Sequence, residues 1–328
     1  QTEKWTTIGQ DLITALLAFW LIAGLFIDGW AHRNGAGVET FFTPWHAAFY
    51  SGFAAVAVWM FHLRRHHGAT PVGYRLGLVG VVVFGLGGLG DLLWHTIFGL
   101  ETSLDALLSP THLVLLTGSL MITTSPLRSS WHRPTARATP WGHILPALLS
   151  TTLVVATVQF FFMYASGWTS GIPGVPYSPH DDEFVASFGV LEVVISTVIM
   201  FGPALYLLKR YRTPMGSFTV MFGIVGVLVS ALDGFDWPWE MIQMVTAGAA
   251  VDLLVGYLDP NPAVAFRFGL FGLAAPIGAW AIRFLYFALF RPSLGWPPEL
   301  WAGAIGFAGL VGWGLSLLLT APASPAKA

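Results

Sequence analysis

The sequence contains no cysteine and few charged residues, and each shortage excludes whole classes of protein. Without cysteine, the chain forms no disulfide, thiolate metal site or iron–sulfur cluster, and it has no cysteine nucleophile. Only 10% of the 328 residues are charged, against about 25% in a typical soluble domain. The chain therefore has too few charges to cover a water-facing surface. This excludes a soluble enzyme, a disordered chain and a nucleic-acid-binding protein.

Apolar sequence is abundant instead. Hydrophobic residues make up 55% of the chain, which also holds 15 tryptophans and 37 glycines, residue types frequent in membrane proteins. A helix needs about 20 apolar residues to cross a bilayer. Ten runs approach that length: 9–28, 44–63, 76–97, 110–127, 142–164, 184–208, 216–235, 239–258, 265–290 and 301–320. The sequence therefore predicts an all-α integral membrane protein with about ten transmembrane helices in the lipid bilayer.

The charged residues between these runs are sorted by sign. Every second loop is basic, through Arg64, Arg65, Arg75, Arg128, Arg133, Arg137, Lys209, Arg210, Arg212 and Arg267. By the positive-inside rule these loops lie in the cytoplasm. We therefore expect a multi-pass cell-membrane protein built from five helical hairpins, with both termini cytoplasmic. The other loops hold most of the acids, so the outer face should attract cations.

One polar pattern occurs twice at the predicted outer ends of the first four runs. Asp28-Gly-Trp-Ala-His32 closes the first run, and Thr43-Pro-Trp-His46 opens the second. Asp91-Leu-Leu-Trp-His95 closes the third, and Ser109-Pro-Thr-His112 opens the fourth. The pattern indicates an internal repeat.

The repeat also suggests how the chain is organised. Residues 1–130 would hold two metal-site hairpins, and residues 131–328 would hold the further hairpins of the same membrane domain.

Each copy of the pattern can place three metal ligands together. Asp and His four residues apart project from nearly one face of a helix. A Ser or Thr followed by Pro is typical of a helix start, so the second His falls in the first turn and can face back. The candidate ligand sets are Asp28, His32 and His46, and Asp91, His95 and His112. A simple helix-end hydrogen bond between each Asp and His is the alternative interpretation.

The ligand types favour copper or zinc, by the absence of cysteine and by the order of metal affinities. Two imidazoles and one carboxylate also suit iron. Three nearby acids, Glu39, Glu101 and Asp105, could orient the histidine rings as hydrogen-bond acceptors. They could equally be ordinary loop acids.

Other ionisable groups leave alternatives open. His180, Asp181, Asp182 and Glu183 form either a cation site or a solvated loop cluster, and Asp233, Asp236 and Glu240 form either a hard-cation site or a capped turn. Glu192 and Arg283 lie deeper and indicate an intramembrane ion pair, or a path for protons or ions. Asp252 has no obvious partner in the sequence.

The first copy of the pattern resembles a known family. Asp28-x3-His32 followed by Glu39-Thr-Phe-Phe-Thr-Pro-Trp-His46 is similar to the C subunit of the copper membrane monooxygenases, which include particulate methane, ammonia and hydrocarbon monooxygenases. That subunit carries an Asp-x3-His pair and then an acidic-Thr-x-Phe-Thr-Pro-x-His run at a metal site. The resemblance implies copper ligands at the first set, with Asp91, His95 and His112 in the same pattern. It also implies oxygenase chemistry or copper handling. Candidate partners are other membrane subunits or further copies of the chain in a homo-oligomer.

Two other functions remain open at this stage. A cation or proton transporter or channel would use the acidic outer face, with Glu192, Asp252 and Arg283 lining a path. A haem-binding electron carrier would need histidines facing each other across helices within the bilayer, whereas these histidines cluster beside carboxylates.

Overall fold

The computed structural model describes residues 4–35, 42–99, 104–134, 136–178, 183–291 and 293–320. Across those ranges the structure is helical, with one isolated β-bridge between Ala138 and Arg212. The helices are α1 (Ile8–Asn34), α2 (Pro44–His66), α3 (Arg75–Phe98), α4 (Leu104–Leu108), α5 (Pro110–Thr123), α6 (Ser125–His132), α7 (Trp141–Phe161), α8 (Glu183–Arg210), α9 (Ser217–Ala231), α10 (Pro238–Leu258), α11 (Ala265–Phe290) and α12 (Pro298–Leu319). The predicted all-α class is confirmed.

Eight of the described helices are long and apolar enough to cross a membrane: α1, α2, α3, α7, α8, α10, α11 and α12. The chain is therefore a helical protein of the multi-pass membrane type. The sequence predicted ten such helices. The other two runs, 110–127 and 216–235, are also helical but form shorter helices.

Local chemistry explains both short helices. The run 110–127 is split because α5 ends at Thr123 and α6 begins at Ser125. Pro126, in the first turn of α6, has no N–H group with which to continue the hydrogen bonding of α5. The run 216–235 yields the 15-residue α9, which is followed by Gly234 and Phe235 with left-handed φ angles of 64° and 63°. These backbone conformations end the helix.

The chain divides into two compact units. The first comprises residues 1–135, 140–164 and 227–238, and the second comprises residues 136–139, 165–226 and 239–328. The first unit contains all six predicted metal ligands. In it α1 packs against α2 and α7, and α3 packs against α5. In the second unit α12 packs against both α8 and α11.

Glycines allow the two main helix pairs of the first unit to approach closely. A Cβ added to Gly24 of α1 would lie 2.6 Å from the Cα of Phe49 in α2. A Cβ added to Gly118 of α5 would lie 2.7 Å from the Cβ of Phe84 in α3. Because real Cβ atoms do not approach other atoms so closely, any larger residue would force these helices apart.

A buried carboxylate fastens the beginning of α1 to the rest of the first unit. Asp11 is fully buried. Its Oδ1 accepts hydrogen bonds from Thr6 Oγ1 at 2.7 Å and from the Tyr74 hydroxyl at 2.8 Å. Its Oδ2 accepts from Ser129 Oγ at 3.0 Å and from Arg133 Nη2 at 2.8 Å. Sequence analysis assigned Arg133 only to the basic loop signal, and its pairing with Asp11 is an additional role.

Asp252 has partners that the sequence did not reveal. It is buried in α10, and its carboxylate accepts hydrogen bonds from the backbone N–H groups of Phe218 at 3.1 Å and Thr219 at 2.8 Å. The Thr219 hydroxyl donates a third bond at 2.7 Å. Asp252 therefore caps the N-terminus of α9 from a neighbouring helix, with its charge complementing the helix dipole.

Replacing this cap is expected to destabilise the protein. In an Asp252→Ala variant, one buried and two partly buried donors lose their acceptor, at a cost of about 2–3 kcal/mol in the free energy of unfolding. Thermal unfolding in detergent measures the change. An Arg212→Ala variant, which removes an exposed ion pair with Asp259, is the control and should change stability by at most about 1 kcal/mol. Equal unfolding midpoints for the Asp252→Ala variant and the unmodified protein would contradict the capping role.

Candidate metal centre

The first ligand set lies where α1 ends and α2 begins. Asp28 and His32 are one turn apart on α1, and His46 lies in the first turn of α2. The Thr43 hydroxyl caps α2 by accepting a hydrogen bond from the backbone N–H of His46 at 3.0 Å. Asp28 Oδ2 lies 3.8 Å from His32 Nε2 and 3.5 Å from His46 Nε2. The three residues predicted from the sequence are therefore brought together, and we call them the first site.

The second ligand set repeats this arrangement between α3 and α5. Asp91 and His95 are one turn apart on α3, and His112 lies in the first turn of α5, which Ser109 caps. Asp91 Oδ1 lies 3.4 Å from His95 Nε2 and 3.1 Å from His112 Nε2. The side chains of Asp91 and His95 are almost completely buried. We call these three residues the second site.

Both sites have the dimensions of a metal-ligand set. In each, one candidate ligand atom from each of the three residues lies within 4.8 Å of the other two. Nitrogen and oxygen ligands bind transition metals at about 2.0–2.2 Å, so tetrahedral ligands lie about 3.3–3.6 Å apart. The observed Asp–His separations of 3.1–3.8 Å span that range. A small adjustment of side chains would place one ion in contact with all three residues.

Hydrogen bonds of the second site turn the ligand nitrogens towards the carboxylate. His95 Nδ1 lies 3.3 Å from the carbonyl oxygen of Gly99. A hydrogen bond from Nδ1 to this carbonyl oxygen, which only accepts, would leave the Nε2 lone pair of a neutral ring facing Asp91 Oδ1. Two lone pairs that face each other require a cation between them. A metal ion meets that requirement, as does a second proton on the ring.

His112 and Asp91 are held in a similar way. The Nδ1 of His112 lies 2.9 Å from the Ser109 hydroxyl, which leaves Nε2 directed at Asp91. The Asp91 carboxylate accepts hydrogen bonds from Thr111 Oγ1 on Oδ1 and from the Tyr50 hydroxyl on Oδ2, both at 3.3 Å. Such outer hydrogen bonds are typical of metal sites, where they fix the orientation of the ligands. Sequence analysis did not identify Tyr50 or Thr111 as contacts of this site.

The first site contains buried polar atoms with unmet hydrogen-bonding capacity. Among the described residues, neither Asp28 Oδ1 nor His32 Nδ1 has a hydrogen-bond partner, although both atoms are buried. Buried polar atoms are rarely left in this state, because the loss of water is not compensated. A cation bound by this site would offset part of that cost. The donor types and the orphaned atoms both fit a metal ion.

The two sites are neighbours within the first unit. The rings of His46 and His95, one from each site, have centroids 6.3 Å apart. Asp28, His32, His46, Asp91 and His112 all line one cavity of about 270 Å³. Most of the remaining lining is apolar: Leu25, Phe49, Leu104, Leu107, Leu115, Leu116, Phe160, Phe161 and Met163. Five of the six predicted ligands, all except His95, therefore share one largely apolar cavity.

Several predicted contributors cannot be placed. Glu39 and Glu101 lie outside the described residues, as do His180, Asp181 and Asp182. The backbone of Asp105 belongs to α4, but its side chain is outside the description. The orienting roles of Glu39, Glu101 and Asp105 stay predictions.

The acids near the end of α9 and the start of α10 bind arginines. Asp233 Oδ1 lies 2.8 Å from Arg33 Nη2, and Glu240 Oε1 lies 2.8 Å from Arg291 Nη2. These ion pairs account for both carboxylates without a bound cation. Asp236 is exposed. Within the described chain, the proposed site of Asp233, Asp236 and Glu240 is not among the groups close enough to hold a metal ion.

Glu192 and Arg283 are both buried in the second unit, but they do not form a direct ion pair. Arg283 donates hydrogen bonds to the carbonyl oxygens of Gly167 at 3.2 Å and Ser170 at 2.8 Å, and to Gln243 Oε1 at 3.1 Å. No nitrogen of Arg283 lies within 4.0 Å of the Glu192 carboxylate, both side chains being described. Arg283 instead satisfies carbonyl groups of the irregular segment that follows α7, as buried non-helical backbone in a membrane protein requires.

Comparison of the chain with models of protein families, with curated proteins and with solved structures finds no match. The geometry and chemistry of the two sites are therefore the features that bear on function. The resemblance to the monooxygenase subunit depends on the motif residues alone.

Proposed function

We propose that this protein is a copper-dependent membrane oxygenase, or the metal-binding subunit of one, that acts on an apolar substrate. One observation carries the proposal. Two neighbouring Asp/His/His sets open on a single cavity whose other walls are mostly apolar. Asp28, His32 and His46 would hold one ion, and Asp91, His95 and His112 would hold a second.

The ligand chemistry supports copper among the candidate metals. Imidazole and carboxylate ligands suit copper, zinc and iron, and copper binds such ligands most tightly among the divalent ions of the first row. Zinc has no redox chemistry. Thiolate ligands would favour a structural zinc site, and the two sets contain none. When bound, copper supplies the one-electron redox chemistry that reactions of dioxygen require.

The residues around the sites would select and shield the substrate. Phe49, Leu115 and Phe160 line the cavity and are buried, so they exclude water from the space beside the ligands. These three side chains offer no hydrogen bond and suit a small apolar molecule, although Arg33, Ser119 and Tyr164 also line the cavity. Copper storage or transfer alone would not need such walls. For this reason we favour oxygenase chemistry over copper handling.

The proposal includes a topology. Ten membrane crossings, with the shorter α5 and α9 among them, would form five hairpins with both termini in the cytoplasm. The sites would then lie on the extracytoplasmic side, where an apolar substrate arrives from the lipid. The alternation of basic loops supports this orientation. Glycines at the same offsets from the ligands support the repeat, since Gly24 and Gly87 precede Asp28 and Asp91 by one turn.

Copper binding by the purified protein tests this function. After removal of metals, the protein in detergent is titrated with Cu(II), and the copper retained after dialysis is measured by mass spectrometry. We expect two ions per chain, one for each ligand set. A His143→Ala variant, which removes an exposed histidine at the start of α7, is the matched control and should bind both ions.

The proposed oxygenase activity is tested by a separate measurement. Copper-loaded protein supplied with a chemical reductant and a short alkane or alkene should consume oxygen and form the corresponding alcohol or epoxide. Absence of copper binding would overturn the whole proposal. Binding of two ions without substrate oxidation, under reducing conditions and with membranes present, would instead favour copper handling.

A further inference from the structure

Tyr50 connects the two sites. It lies on α2, one turn after His46, and the centroids of the His46 and Tyr50 rings are 6.2 Å apart. Its hydroxyl nevertheless donates to Asp91 Oδ2 on α3, at 3.3 Å. One helix therefore carries both a ligand of the first site and a hydrogen-bond donor for the second.

Because of this hydrogen bond, the two carboxylate oxygens of Asp91 have different roles. Oδ1 faces Nε2 of both His95 and His112, so it is the oxygen placed to bind an ion. Oδ2 is bound by Tyr50, and the carboxylate cannot rotate without losing that bond. Asp28 of the first site differs, because its Oδ1 has no hydrogen-bond partner among the described residues.

The fold makes space for the tyrosine ring at a glycine of α3. A Cβ added to Gly88 would lie 2.8 Å from Cε1 and 3.3 Å from the hydroxyl oxygen of Tyr50. Gly88 lies three residues before Asp91, so the ring passes over α3 close to the carboxylate that it binds. Any side chain at this position would displace the ring and break its contact with Asp91.

We infer that Tyr50 is a positioning residue that makes the second site the tighter one, so that the second site fills with metal before the first. The inference rests on the proposed function. In the second site, Asp91 is held by Tyr50 and Thr111, His95 by the Gly99 carbonyl, and His112 by Ser109. A ligand set fixed in advance loses less conformational freedom when it binds an ion. Two polar atoms of the first site have no such support.

A Tyr50→Phe variant removes the hydroxyl and keeps the ring. Changes to outer-shell groups typically lower metal affinity by about 10–100-fold. We expect a decrease of that size in the tighter of the two Cu(II) binding constants, and little change in the weaker one. The electron paramagnetic resonance spectrum of the first Cu(II) bound should change as well. A Gly88→Ala variant, which keeps the hydroxyl but displaces the ring, should give the same result.

Testing Tyr50→Phe in two further variants, each with only one complete site, shows which site the substitution weakens. In a His46→Ala background only the second site remains complete, and Tyr50→Phe should weaken the remaining constant. In a His112→Ala background only the first site remains complete, and Tyr50→Phe should leave the constant unchanged. The matched control is Tyr74→Phe, which removes a phenol hydroxyl bound to Asp11 at 2.8 Å. It should lower thermal stability without changing either copper constant.

The outcomes separate this inference from the proposed function. If the unmodified protein binds no copper, both are overturned. If it binds two ions and Tyr50→Phe changes neither constant nor spectrum, the positioning role is overturned while the proposed function stands. A loss confined to the His112→Ala background would also overturn the inference, because it would place the effect of Tyr50 in the first site.

Discussion

A His46→Ala variant is expected to bind one copper ion per chain instead of two, and a His112→Ala variant should also lose one. The double variant should bind none. Each substitution removes one of the three ligands that the described residues bring together at a site, and leaves an Asp and a His. Two ligands from one helix cannot surround an ion, so the site loses the closure between helices that the second histidine supplies. Metal content after dialysis, measured for all three variants, gives the result directly.

The chain offers close controls for these variants. His62 lies on the same helix as His46 but is exposed near its opposite end, so His62→Ala should retain both ions. Circular dichroism should show equal helix content in all variants. Retention of two ions by the double variant would mean that the two Asp/His/His sets do not bind copper. Loss of both ions in each single variant would mean that the sets act as one site.

An Asp11→Ala variant should be the most strongly destabilised of the proposed variants. It removes the ion-pair partner of the partly buried Arg133 guanidinium, which keeps its hydrogen bond to the Thr6 carbonyl oxygen. It also removes the acceptor of the Thr6, Tyr74 and Ser129 hydroxyls. Removing one partner of a buried ion pair costs about 3–5 kcal/mol, because the remaining charge is uncompensated. That is a large part of the total stability of a folded domain. Thermal unfolding in detergent, together with the yield of folded protein, measures the effect.

A double-mutant cycle tests the stated cause. If the stranded charge is responsible, Asp11→Ala with Arg133→Ala should be less destabilised than the sum of the single variants. Arg75→Ala, which removes an exposed basic residue of the same unit, should change stability little. Additive effects in the cycle would show that Asp11 and Arg133 act independently, contrary to the observed 2.8 Å contact.

The ligand sets could be anticipated from the sequence because short-range rules place them. The Asp and His of each pair are one helical turn apart, and the capping Thr43 or Ser109 fixes the helix start three residues before the second histidine. What remained was for the two helices of each pair to pack together, as α1 does with α2 and α3 does with α5. The all-α class was equally accessible, since long apolar runs can satisfy their backbone in a membrane only as helices.

Other features depend on contacts between distant parts of the chain. Tyr50 binds a carboxylate 41 residues away on another helix, and Asp252 caps a helix that begins 35 residues before it. No local pattern marks either residue. Two of the ten apolar runs form shorter helices than hydropathy indicates, because hydropathy alone does not register the break at Thr124 or the turn at Gly234. The sequence suggested that Arg283 pairs with Glu192. In the structure Arg283 instead binds carbonyl groups of the irregular segment after α7, which no local pattern indicates.

The glycine contacts between α1 and α2 and between α3 and α5 limit how an ion would enter or leave the two sites. At Gly24 and Gly118 the helix backbones are so close that no gap separates them. An ion therefore cannot pass between the helices of a pair at these two levels, whereas the shared cavity is lined by five of the six ligands and offers a route to both sites. If the protein has the proposed function, metal and substrate would both use this cavity. A substrate molecule in the cavity would then slow the release of copper.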